Sequence, residues 1–336
     1  MALTALSFRT PPPTPGLAAG QRPSFSVIIA AYEAGATIGR AVESALTQTY
    51  PPTEVIVCDD GSKEDLQRAL GEYRDRIVLL RQEHLGAAAA RNTALAAASG
   101  DFVAILDADD TYCPERLEAM AELGRQRPDL DLITTDAFLV VNGKRVGRFY
   151  GTAAFDVHDQ RAEILRWCFV GGWPAVRRAS LIEVGGFDPA ISLAFDWDCW
   201  MRLIFNGSRV GLVEAPLMEY TLHAGALTAE RVVSLDDRVT VLLKNAQRLH
   251  VRDRERRILE RSLRMHRGRA LIARTVLEAE GHGSKEVRRS LALLLREGAL
   301  PLRLRARVAA GYLQPSQVGK WLPEASPHMA RLGDRP

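Results

Sequence analysis

The stretch Phe102-Val-Ala-Ile-Leu-Asp-Ala-Asp-Asp110 sets five apolar residues ahead of three carboxylates within four positions. A short continuous apolar run suits a strand covered on both faces. The acids directly after it must have left that cover, because an unpaired buried carboxylate is costly. Asp107, Asp109 and Asp110 repel one another unless hydrogen-bond donors or a cation neutralise them. A hard divalent ion, Mg2+ or Mn2+, takes one or two carboxylates and completes its shell with water and phosphate oxygens, which is the make-up of a nucleoside diphosphate site. Helix capping by Asp110 or Thr111, with Pro114 in the first turn, is a second use for one of these acids, though not for three.

On the N-terminal side the strand-like runs Phe25-Ser-Val-Ile-Ile-Ala-Ala31, Glu54-Val-Ile-Val-Cys58 and Ile77-Val-Leu-Leu80 alternate with helix-like stretches at 37–48, 63–74 and 86–98. This rhythm predicts βαβ units: an α/β, Rossmann-like, mostly parallel sheet flanked by helices, with its ligand crevice at the carboxyl ends of the strands. Asp59-Asp60-Gly61-Ser62 follows its strand as the acid triplet follows Leu106, so both clusters fall on that edge. The same four residues also read as a turn into a helix, with Ser62 as cap and Glu64 in the first turn. Arg91 lies in a small-residue helix opening at Gly86, where it serves either a salt bridge or an anionic ligand.

At 336 residues, 47% hydrophobic and 25% charged, the chain suits one large soluble domain with an appendage. Cys58, Cys113, Cys168 and Cys199 form no C-x-x-C pair, so neither a disulfide framework nor a zinc site is expected. With no apolar run of about 18 residues and no leader-like start, the expectation is a cytoplasmic protein, at most peripheral at the inner face of the membrane. Residues 1–23, with Pro11, Pro12, Pro13, Pro15 and Pro23, read as a disordered lead-in. Residues 24–232 read as the sheet domain and 233–336 as a helical portion. Between Arg252 and Arg307 basic side chains exceed acidic ones by roughly nine. Such a surface is either a solvated arginine-rich face or a contact to anionic lipid, a partner or a second copy in a homo-oligomer. Nucleic acid is not an expected partner.

Taken in order, several segments resemble the family 2 glycosyltransferases. They are Ser26-Val-Ile-Ile-Ala-Ala-Tyr-Glu33, Ser44 to Pro51, Glu54 to Ser62, Gly86 to Asn92, Leu106-Asp-Ala-Asp-Asp110 with Pro114-Glu-Arg-Leu117, and Gly185-Gly-Phe-Asp188 with Asp196-Trp-Asp-Cys-Trp200. The resemblance covers about residues 24–230 and implies the GT-A fold of nucleotide-diphospho-sugar transferases. It implies that Ala30, Tyr32, Glu33, Asp59, Asp60, Arg91, Asp107 and Ala108 line the donor. Tyr32 and Asp60 would lie against the base, and Asp107 would face the ribose or diphosphate. Asp109 is the implied metal ligand, with His223 of Tyr220-Thr-Leu-His223 as a further contact. Asp196 is the implied base, with Asp198 as its fallback, in an inverting displacement onto an acceptor hydroxyl.

Trp173 and Trp197 are expected to floor the acceptor sugar, or else to be core. The implied partners are a nucleotide sugar, with UDP as the expected base, and a glycan or lipid-linked acceptor in cell-surface or exopolysaccharide synthesis. The chain departs from the family pattern at Ala30 for a Pro, Glu33 for an Asn, Phe195 for a Glu and Thr221 for an Arg. Two other readings stand beside this one. A sugar-phosphate nucleotidyltransferase would carry a Gly-rich, basic loop after the first strand, which is missing after Ile29. A catalytically inactive scaffold is what the Phe195 exchange would suit.

Overall fold

The computed structural model describes residues 20–151, 158–222, 229–281 and 292. The chain divides into two compact units, Met1–Ile164 with Cys168–His223, and Leu165–Trp167 with Ala224–Pro336. The first nineteen residues of the expected lead-in lie outside the described residues. Pro23, placed in that lead-in by the sequence, is instead buried and accepts a hydrogen bond from the Tyr50 hydroxyl at 3.2 Å.

The first unit is an α/β sheet flanked by helices. Its elements are β1 (Phe25–Ala31), α1 (Ile38–Leu46), β2 (Glu54–Asp59), α2 (Leu66–Leu70), β3 (Val78–Arg81), α3 (Ala87–Ala97), β4 (Phe102–Asp107), β5 (Thr111–Tyr112) and α4 (Arg116–Gln126). They continue as β6 (Leu132–Val141), β7 (Lys144–Arg148), α5 (Gln160–Ile164), β8 (Ala175–Arg177), α6 (Arg178–Glu183), α7 (Phe195–Phe205) and β9 (Val210–Thr221). The strand order is β3-β2-β1-β4-β8-β6-β9-β5, with β7 paired to β6. The first four strands are mutually parallel, as the alternation predicts. Beyond them β8 runs antiparallel to both β4 and β6, a reversal that βαβ periodicity does not announce.

The apolar runs explain the core. Val27, Ile28, Ile29, Val55, Ile56, Val57, Val103, Ile105 and Leu106 are all covered on both sheet faces. Each such side chain contributes about 1.5–3 kcal/mol by leaving water. Parallel register then levels the strand ends: Ala31 pairs with Asp59, Ala30 with Asp107, and Asp59 with Arg81.

Two buried polar side chains tie the layers together. Arg116 of α4 is fully buried, donates to the Thr135 hydroxyl and, at 2.5 Å, to the Trp173 carbonyl, and sits 4.5 Å from the Tyr112 ring centre. Burial lowers its pKa, with the nearby Tyr112 acting the other way. Asn92 of α3 exchanges two hydrogen bonds with Phe187, its amide donating to the carbonyl at 2.7 Å and its oxygen accepting from the N–H at 2.8 Å. That exchange is possible because Gly186 adopts φ +67°, where a Cβ would stand 2.5 Å from the Asn92 oxygen.

The second unit contains α8 (Ala229–Arg248) and α9 (Asp253–Gly281), whose apolar sides meet around Leu235, Ala270 and Ala273. Arg274 and Asp236 pair across the two helices at 2.5 Å. Among the described residues no helix is long and apolar enough to cross a membrane.

Replacing Asn92 by Ala removes both bonds and leaves the buried Phe187 amide without a partner. Urea unfolding of the variant is expected to show a loss of about 2–4 kcal/mol; a change within experimental scatter would show that this bridge does not hold the turn.

Candidate functional site at the strand ends

Asp59 ends β2 and Asp60 follows it, and both are buried. One Asp60 oxygen accepts from the Gln82 amide at 2.6 Å and the Leu85 N–H at 2.9 Å. The other accepts from the Gly86 N–H at 2.9 Å and faces His84 Nδ1 at 2.9 Å. With two partners on each oxygen, this carboxylate shapes residues 82–86 as they enter α3. Asp59 accepts from the Ser62 N–H at 2.9 Å and from Arg81 at 2.7 Å, while Arg81 also donates to the Ser62 carbonyl. The capping reading of Ser62 does not hold, because α2 begins four residues later, behind the cap Asp65, whose carboxylate takes the Arg68 N–H. Ser62 instead accepts from the Glu33 N–H at 3.0 Å, and Glu33 takes the Lys63 N–H in return. These two bonds hold Glu33 at φ +48°, a left-handed conformation that the family's usual Asn adopts more readily.

Past β1, the Tyr32 ring is 45% exposed and stacks on His84, with centroids 4.0 Å apart and planes 26° apart. His84 is the residue the sequence reading missed. No spacing in the sequence marks it, because its contacts with Asp60 and Tyr32 come from two other loops. Burial, followed by the charges of Asp60 and Asp59, pushes the neighbouring Cys58 thiol up to about 12, so it supplies no thiolate nucleophile near neutral pH.

Arg91 reaches from α3 to Asp107 at the end of β4, donating to its carboxylate at 2.5 Å. The guanidinium is buried between the rings of Phe187 and Phe195, 5.5 and 5.0 Å from their centres. Its second terminal nitrogen, Nη1, is buried without a hydrogen-bond partner. Phe195, which the sequence pattern marks as a departure from Glu, is thus the wall that closes over this cation.

The three acids after β4 divide. Asp110 is buried and accepts from the Thr221 N–H at 2.7 Å, while the Thr221 hydroxyl donates to the Asp109 carbonyl at 2.8 Å. Asp107 and Asp109 stay partly exposed, with buried Ala108 between them. Neither Asp110 nor Thr111 caps a helix, because β5 intervenes and α4 starts only at Arg116. Among the described residues no three His, Cys, Asp or Glu side chains form a metal-holding group. His223 lies outside the described residues. The donor set therefore fits a divalent ion only if a bound phosphate supplies further oxygens, which is how Mg2+ is ordinarily held.

Asp196 lies in the first turn of α7, partly exposed, with one oxygen on the Trp197 N–H at 2.7 Å. Its other oxygen faces Gly172, where a Cβ would stand 3.5 Å away. Asp198 has no exposed surface and pairs with Arg202 at 2.8 Å, and Arg202 also binds the carbonyls of Val184 and Gly186. It fixes the Gly185-Gly186 turn and offers nothing to an acceptor. The aromatic floor expected from Trp173 and Trp197 is corrected: they are 4% and 2% exposed. The Trp173 indole N–H bonds the Thr135 carbonyl and that of Trp197 the Ile164 carbonyl, so both rings belong to the core.

Asp60→Ala is expected to cost about 1–3 kcal/mol in urea unfolding, because the Leu85 and Gly86 N–H groups lose the buried carboxylate that accepts from them. Unchanged stability would mean that the loop does not depend on this carboxylate.

The model of the family described as Glycosyl transferase family 2 matches residues 26–185. Among curated proteins, the chain is 33% identical over 181 residues to UDP-Glc:alpha-D-GlcNAc-diphosphoundecaprenol beta-1,3-glucosyltransferase WfgD of Escherichia coli, spanning 53% of this chain and 69% of that protein. Among solved structures, S. aureus TarS 1–349 in complex with UDP-GlcNAc superposes with a TM-score of 0.62 at 19% identity, covering 92% of each chain. The mannosyltransferase PcManGT from Pyrobaculum calidifontis, in complex with GDP-Man and Mn2+, superposes with a TM-score of 0.58 at 22% identity, covering 96% of this chain and 92% of that one. With its GT-A sheet and its acid-lined strand ends, this chain belongs to glycosyl transferase family 2.

Proposed function

We propose that the protein is an inverting glycosyltransferase that moves a sugar from a nucleoside diphosphate carrier, with UDP the expected nucleoside diphosphate, to a hydroxyl of a lipid-linked glycan at the cytoplasmic face of a membrane. The observation that carries the reading is the Arg91 bridge. This one buried cation bonds Asp107, contacts Phe195 beside Asp196, and keeps a buried N–H for an incoming oxygen. The acceptor class is supported by the diphosphoundecaprenol substrate in the name of the Escherichia coli relative.

In this reading the base rests on the Tyr32–His84 shelf, and Asp59 and Asp60 hold the loops around it. The small side chains of Ala30 and Ala108 let the donor approach the backbone, and Glu33 sets the turn beside Tyr32. Arg91 Nη1 donates to a donor oxygen and Asp107 meets the ribose or diphosphate. Asp109 would hold the divalent ion, for which the Mn2+ of the archaeal neighbour is the precedent. That ion supplies stabilisation of charge on the departing diphosphate.

Asp196 accepts the proton of the acceptor hydroxyl as its oxygen forms the bond to the anomeric carbon. The bond to the diphosphate oxygen breaks on the opposite face and its electron pair leaves with the nucleotide, inverting the centre without an enzyme-linked sugar.

Calorimetric titration with UDP, GDP and dTDP, with and without manganese, is expected to find one nucleotide whose binding needs the metal and is lost in Asp109→Ala. Absence of binding for all three would remove the transferase reading. In Asp196→Asn, kcat is expected to fall about 10²–10⁴-fold with nucleotide affinity unchanged. Equal turnover would move the base elsewhere.

A further inference from the structure

The described exposed side of α9 is charged and predominantly cationic. Between Asp253 and Arg274, every position of described burial that is exposed carries a charge: Asp253, Glu260 and otherwise arginine. Arg256, Arg257, Arg261, Arg264 and Arg267 have no ion-pair partner among the described residues. At 100° per residue they fall, with the single acid Glu260 among them, within one half of the helix circumference, along roughly 17 Å of axis. The opposite side, with Leu259, Ser262, Ala270 and Ala273, is buried.

Like charges three and four residues apart repel, so a helix that concentrates them on one face gains from a polyanion laid along it. The whole chain carries only +3, so this is a local asymmetry. No Phe, Tyr or Trp occurs in α9, which leaves nothing to stack nucleobases as single-strand binders do. Among the described residues no exposed apolar side chain lies on this face either, so contact would stay at the level of headgroups without insertion.

We infer that the arginine face of α9 docks the protein on a bilayer of anionic phospholipid. This deepens the function proposed above, and rests on it, by naming the surface on which a lipid-carried acceptor is met. Each arginine near an anionic surface strengthens partitioning about fivefold, so removing three weakens it about a hundredfold.

The test is pelleting of the full chain with vesicles of phosphatidylglycerol and phosphatidylcholine in equal amounts, and with phosphatidylcholine alone, at low and high salt. Wild type is expected to pellet with the anionic vesicles alone and to be released by salt. The combined variant Arg257→Gln, Arg261→Gln, Arg264→Gln should lose about two orders of magnitude in partitioning, while the corresponding Lys variant keeps it. Thermal melting checks the fold; if the Gln variant does not fold, the comparison of Lys variant and wild type across salt and lipid carries the test.

Equal pelleting with neutral vesicles, no pelleting, or a Gln variant that binds like wild type would overturn the inference. So would tighter binding to a single-stranded RNA than to the vesicles at the same salt. Nucleotide titration on the same preparation separates the two proposals. UDP binding without pelleting removes the docking surface alone, and pelleting without nucleotide binding removes the transferase reading alone.

Discussion

Parallel pairing of β1, β2 and β4 is the constraint on which the rest of the first unit depends. Three strands whose central residues are apolar and covered end level with one another, with Ala30, Ala31, Asp59 and Asp107 in adjacent pairs. At this end carboxylates appear where the apolar runs stop, so Asp59, Asp60, Asp107 and Asp109 gather on one edge. The electrostatic character of the site follows from hydrophobic burial one residue earlier on each strand.

Those carboxylates divide their work. Asp59, Asp60 and Asp110 are buried, and each holds a backbone N–H of its own or a neighbouring loop. Asp107, Asp109 and Asp196 keep exposed surface. The buried acids build the walls, and the partly exposed ones keep surface with which to meet a ligand. Asp198 and Arg202 extend the same logic away from the site by pinning the Gly185-Gly186 turn that carries Phe187 to Arg91.

Much of this was legible before any coordinates. Apolar runs followed by acids gave the parallel half of the sheet and the edge on which the acids gather, because burial and charge are local properties of a strand. The reversal at β8 was not legible: its three residues, Ala175 to Arg177, carry no periodicity that separates one direction from another. Trp173 and Trp197 misled because indole serves a sugar platform and a core equally well, and only the location of their N–H partners decides. His84 was hidden for the opposite reason. Its role comes from contacts with Asp60 and Tyr32 across two loops, and no spacing rule within one loop contains them.

The loop from Asp107 to Asp110 is closed on itself and on its neighbours. Tyr112 donates its hydroxyl back to the Ile105 carbonyl at 2.6 Å, the Asp110 N–H bonds the Asp107 carbonyl at 3.1 Å, and Thr221 clasps Asp109 and Asp110 from β9. A segment tied at so many points surrenders its conformational freedom when the chain folds, and has little left to surrender when a ligand arrives. Selectivity at this loop is therefore a matter of fit to a fixed shape. Adaptation to carriers of different size would have to come from the Tyr32–His84 side, where both rings of the pair remain open to solvent.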